Sequence, residues 1–138
     1  MSLFEIFGLY LVLYLLLLLV LVFGVIRLRL GGKVSLGDGG RTDLMAASRA
    51  HGNFVENAPF VLIGMISMMQ LGTSALMLHV VGATFLVARI LHAFGITREN
   101  SAHIARRIGM TLTLLVYILL VIYLGVLILQ SRGSYGIS

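Results

Sequence analysis

From Ile6 to Ile26 the chain carries no charged side chain, and its opening stretch MSLFEIFGLYLVLYLLLLLVLVFGVIRLRL is apolar until Arg27 interrupts it. At about 1.5 Å of rise per residue, a helix of that length crosses a hydrocarbon core of about 30 Å. A segment in lipid has to satisfy its own backbone N–H and C=O groups, so the run reads as a helix. It reads as a retained helix rather than a secretory signal. The start is poor in charge, the run outlasts a typical signal core, and no small-residue cleavage motif follows it. Hydrophobic residues make up 59% of the 138 residues and charged ones 11%, which excludes an ordinary soluble domain and places most of the chain in the membrane.

Three further apolar stretches follow the same logic. Phe54 to Leu71 is apolar, and its helix extends back to about Leu44 through LMAASRAHGNF. The turn QLGTS leads into ALMLHVVGATFLVARIL, and the last span is IGMTLTLLVYILLVIYLGVLIL. The expectation is an all-α fold: one integral-membrane four-helix domain over residues 1–138, with spans at about 3–26, 44–71, 74–92 and 107–130. These spans are expected to be apolar all round, which argues against an amphipathic protein lying on the membrane surface.

Polar residues gather in two connections, RLRLGGKVSLGDGGRTD and HAFGITRENSAHIARR, which four spans put on the same side. Counting Arg49 and Arg89 at the helix ends, nine of the ten Lys and Arg residues fall there, and Arg132 lies opposite. The positive-inside rule then puts both loops in the cytoplasm and both termini outside. The net charge of +5 is therefore read as membrane orientation; with no soluble domain to carry a basic face, no nucleic-acid partner is expected. Cysteine is absent, so any thiol chemistry needs a ligand that brings the sulfur. The segment GGKVSLGDGGR lacks the spacing and the final Lys-Ser/Thr of a phosphate loop and reads as a mobile turn.

The second span begins with RAHGNFVENAPF, a costly set of polar groups for a membrane helix. Arg49, Asn53 and Glu56 stand at i, i+4 and i+7, within about 60° of one another on one helix face. They offer a planar cation, an amide and a carboxylate. His51 points to nearly the opposite side, and Pro59 leaves the carbonyl of Val55 without its helical donor. Arg89, near the cytoplasmic end of the third helix, is a partner for Glu56 or a ligand contact. Loops and helix ends can add Arg27, Arg29, Arg41, Arg98, Arg106 and Arg107. Such a pocket favours a ligand with more than one carboxylate, each gripped bidentately by an arginine, with Glu56 taking an ammonium group. Glutathione has that pattern and brings a thiol; other anions, including lipid headgroups, share the charge.

The block RAHGNFVENAPF resembles the signature of the membrane-associated proteins in eicosanoid and glutathione metabolism, the family of microsomal glutathione transferases and leukotriene C4 synthase. The likeness extends to ARILHAFGI, to RRIGM and to the spacing of four spans, and the form is similar to the small bacterial members. The resemblance implies a left-handed four-helix bundle assembled as a homotrimer, with glutathione sites at subunit interfaces facing the cytoplasm of a bacterial inner membrane. It implies that Arg49, Asn53 and Glu56 bind glutathione as co-substrate, with Arg89, His92 and Arg98 as further binding candidates. Arg106 or Arg107 would hold the thiol, because a nearby cation favours thiolate over thiol. The thiolate would act on a hydrophobic electrophile or lipid hydroperoxide dissolved in the bilayer. The chain departs from the family where tyrosines are common: it has His92, Phe94 and Ile96 near the end of the third helix, and Asn57 after Glu56.

Three functions are weighed. The first is a glutathione transferase or glutathione-dependent peroxidase. The second, favoured by the missing tyrosines, is a non-catalytic scaffold or lipid-binding protein of the same family. The third is a small proton- or cation-coupled transporter, against which the polar cluster lies at one membrane surface rather than near midplane. His79 and His103 lack ligand-like spacing, so no metal is assigned.

Overall fold

A computed structural model describes residues 1–98 and 104–134, which form four helices: α1 (Leu3–Gly32), α2 (Thr42–Gln70), α3 (Ala75–Ile96) and α4 (Ile104–Ser134). His103 lies outside the described residues. Each helix runs past the apolar stretch that announces it. Helix α1 starts in a capping box, where Ser2 Oγ accepts from the Glu5 N–H and Glu5 accepts from the Ser2 N–H. It continues through Arg27 and Arg29 to Gly32, so these two cations stand on the helix rather than in the following loop. Lys33, at φ 52°, closes it in the left-handed conformation, its N–H reaching the Arg29 and Leu30 carbonyls. Ser74 caps α3 by accepting from the Met77 N–H.

Helices α1, α3 and α4 are long and apolar enough to cross a membrane. Helix α2 has the length, 29 residues, but Arg49, Asn53, Glu56 and Asn57 dilute its first half, and it is not apolar all round as expected. Its buried residues Ala50, Phe54, Ala58, Val61, Met65 and Met68 recur at helical spacing, the stripe of a helix packed against neighbours. Helices α2 and α3 touch each other and both outer helices, whereas α1 and α4 do not meet among the described residues.

The close approaches are made by glycines. At Gly82 a Cβ would stand 2.5 Å from the Tyr10 ring, so only glycine lets α1 lie against α3 there. At Gly109 it would stand 2.5 Å from the Ala88 carbonyl oxygen and 2.6 Å from the His92 nitrogen, and at Gly95 it would strike the backbone of Arg106. Helices α3 and α4 thus meet backbone to backbone, the small-residue packing that substitutes for a hydrophobic driving force in lipid. This contact fixes where Arg106 sits.

Candidate functional site

The first turns of α2, the end of α3 and the start of α4 enclose a cavity of about 870 Å³. Arg49 and Asn53 line it from α2, Arg98 from beyond α3, and Arg106 from α4. On the other side of Arg49 and Asn53 lies a second cavity of about 400 Å³, to which α1 and its loop contribute Arg29 and Asp38 and α2 contributes Ser48 and Glu56. The expected stripe is therefore present, and it forms a wall between two hollows. Glu56 also heads an apolar groove of about 720 Å³ between α2 and α4, with Asn57 and Tyr117 beside it and Phe60, Leu120 and Leu124 below.

Arg49 is exposed and its side chain makes no hydrogen bond or ion pair with the described residues, so its guanidinium fork is available to an anion. Asn53 donates its amide to the Arg49 carbonyl at 3.0 Å and keeps its side-chain oxygen as an acceptor. Asn57 donates to the Asn53 carbonyl at 2.7 Å and accepts from the Tyr117 hydroxyl at 2.7 Å. Sequence reasoning missed Tyr117. It stands eleven residues after Arg106, about three helical turns and hence on the same face of α4, which is the signal that could have found it. A phenol therefore reaches the polar end from α4, beside the asparagine that follows Glu56.

The other expected residues divide. Arg106 lines the cavity, whereas Arg107 is exposed, one residue and about 100° further round α4. Arg98 lies over the Phe94 ring at 4.2 Å, a cation–π contact that holds it at the rim. Arg41 is committed elsewhere: it pairs with Asp43 at 2.7 Å and reaches the Leu28 carbonyl at 3.5 Å, tying the loop to the end of α1. The hydrogen bonds from Arg41 hold the Asp43 carboxyl below the usual carboxylate range, with the Leu44 N–H adding to the effect. Arg29 donates to the Gly37 carbonyl at 2.9 Å, and Gly37, Gly39 and Gly40 take positive φ, so the glycine-rich loop has a folded course that brings Asp38 to the second cavity.

Arg89 and His92 lie behind the cavity rather than on its lining. Arg89 is 2% exposed and is not paired with Glu56. It donates to the Asn53 carbonyl at 3.5 Å, to the Gly109 carbonyl at 3.3 Å and to the Thr113 hydroxyl, and its guanidinium lies 5.6 Å from the Phe85 ring centre. The reason is reach: a buried arginine one turn below the site meets backbone carbonyls of α2 and α4 before any carboxylate. His92 is 4% exposed and lies where Gly109 brings the α4 backbone against α3.

The chain is similar in sequence to known proteins. The model of the MAPEG family matches residues 7–126. The inner membrane protein YecN of Escherichia coli strain K12 is 37% identical over 115 residues, covering 83% of this chain and 86% of that protein. The protein of the same name from E. coli O6:H1 strain CFT073 gives the same figures. No solved structure matches the chain significantly. With the family model covering most of the chain and a relative aligned over most of both lengths, this protein belongs to the MAPEG family.

Proposed function

We propose that the protein is a membrane-bound glutathione transferase or glutathione-dependent peroxidase acting on hydrophobic electrophiles or lipid hydroperoxides. The observation that carries this reading is the shared cavity of Arg49, Asn53, Arg98 and Arg106, three cations and an amide in about 870 Å³. That donor set fits a tripeptide with two carboxylates, because each guanidinium can hold one bidentately. Glu56, on the adjoining cavity, takes the ammonium group. The sulfur lies toward Arg106, whose charge favours thiolate over thiol and lowers a pKa that is ordinarily about 8.5.

The thiolate attacks an electrophilic carbon; the carbon–sulfur bond forms as the leaving group departs with its electron pair. With a hydroperoxide, the sulfur takes the terminal oxygen, the alcohol leaves after protonation, and a second glutathione reduces the resulting sulfenic acid to water and disulfide. The groove below Glu56 opens to the apolar face of α2 and α4, which suits a substrate dissolved in lipid. In this reading all four helices span, the chain is a homotrimer with its sites at subunit interfaces, and the membrane is a bacterial inner membrane. Both polar loops face the cytoplasm and both termini lie outside, as the distribution of Lys and Arg requires.

A second reading is a non-catalytic scaffold or lipid-binding protein of the same family. It is favoured by the end of α3, where His92 is buried, Phe94 packs under Arg98 and no phenol stands. Ultraviolet absorbance of the purified protein with saturating glutathione separates the two. A thiolate band at neutral pH is expected in the native protein and in Arg107→Ala, and its loss in Arg106→Ala. A band that survives Arg106→Ala overturns the role of Arg106, and glutathione bound without any band favours the scaffold.

A further inference from the structure

Arg89 is the largest fully buried side chain among the described residues, and none of the described carboxylates pairs with it. Burying a cation in an apolar bundle is costly, and one that faces only carbonyls, a hydroxyl and a ring keeps its full charge. Its partners are specific. The Asn53 carbonyl belongs to the helix turn that lines both polar cavities, and Gly109 stands three residues beyond Arg106 on α4. One guanidinium thus joins the α2 wall of the larger cavity to the α4 wall, from behind. Gly109 admits this geometry by lying against the backbone of Ala88 and His92.

We infer that Arg89 is a positioning residue whose unneutralised charge makes the larger cavity prefer an anion, although it never touches the ligand. The claim rests on the proposed glutathione site for its biological use, but the field itself exists with or without glutathione. The charged groups that line the cavity are Asp43 and Arg49 on α2, Arg98 beyond α3 and Arg106 on α4; His92 lies behind its wall with Arg89, and Glu56 lines the adjoining cavity. Arg89 differs from the other cations in being shielded from water and salt, so its contribution survives ionic strength that screens exposed ones. At about 10 Å and an effective dielectric near 20, one unit charge moves a titration by about one pH unit.

The absence of cysteine allows a direct test. Asn53→Cys puts a single reporter thiol on the cavity wall, and its pKa is read from the pH dependence of alkylation by iodoacetamide in detergent. The expected result is a reporter pKa below the ordinary thiol value, raised by about one unit when Arg89→Gln is added and restored by Arg89→Lys. Thr113→Asp, which sets a carboxylate beside the intact Arg89, should raise it similarly and covers the case in which Arg89→Gln does not fold. A reporter pKa unchanged by either substitution overturns the inference. A parallel titration with glutathione on the native Asn53 background keeps the two claims apart. Failure of glutathione to bind contradicts the proposed function, while the reporter still decides whether Arg89 supplies the field.

Discussion

Where α1 and α3 begin, the Tyr14 hydroxyl donates to the buried Gly82 carbonyl at 3.0 Å, Tyr10 meets His79 Nδ1 at 2.9 Å, and Thr73 donates to Tyr123 at 3.2 Å. Where α2 and α4 begin, by contrast, the Arg49 side chain has no described partner and Arg89 is a buried cation with no described counter-ion. Both ends bury polar side chains in an apolar bundle. At the first, each polar group named is satisfied by a neighbour, and the Tyr14, Phe54 and Phe85 rings pack edge to face around it. At the second, charge is left over. A membrane protein that leaves cations unneutralised in one place gives up stability there, and local rules are broken in this way mainly at functional sites.

Substitutions can break this contrast or sharpen it. The largest effect on stability is expected at Gly109→Val, because the new side chain strikes the backbone of Ala88 and His92, which cannot rotate away. A loss of about 3 kcal/mol or more is expected in unfolding from detergent micelles. Gly82→Val should cost less, about 1–3 kcal/mol, since its obstacle is the Tyr10 side chain. Tyr14→Phe removes one buried hydrogen bond and should cost about 1 kcal/mol by the same measurement. Arg89→Met should cost no more than about 1 kcal/mol, because it removes a desolvated charge and leaves behind carbonyls that helix bonds still serve. A loss at Arg89→Met well above that at Tyr14→Phe would make the polar end structural and erase the contrast.

The smallest effect concerns the loop. Asp43 titrates below its usual range in the folded protein, so the stability it contributes is present above the unfolded carboxylate pKa of about 3.9 and is lost as pH falls through the lowered folded value. Asp43→Asn should therefore lower stability slightly at neutral pH and leave it unchanged in strong acid, which flattens the low-pH end of the stability profile. Both partners are solvent-exposed, so the change is expected to shrink further in high salt.

Long uncharged runs made the helices legible, because only a helix satisfies its backbone in lipid. Arg49, Asn53 and Glu56 were legible for a similar reason: helical spacing puts them on one face whatever surrounds them. What spacing does not encode is which neighbour a side chain meets first. Arg89 looked like a partner for Glu56 by depth and sign, yet it meets carbonyls and Thr113. Tyr117 and Asn57 are 60 residues apart, and no local pattern announces their bond. The helix ends were also underestimated. Hydropathy stops at the membrane surface, whereas hydrogen bonding continues until a cap such as Lys33 closes the helix.

The central claim is that the polar end of α2 binds glutathione through Arg49, and calorimetric titration of the detergent-purified protein with glutathione tests it most directly. The account predicts saturable binding by the native protein and none by Arg49→Ala, with both eluting at the same oligomeric size. Absence of binding by the native protein, or unchanged affinity in Arg49→Ala, would contradict it.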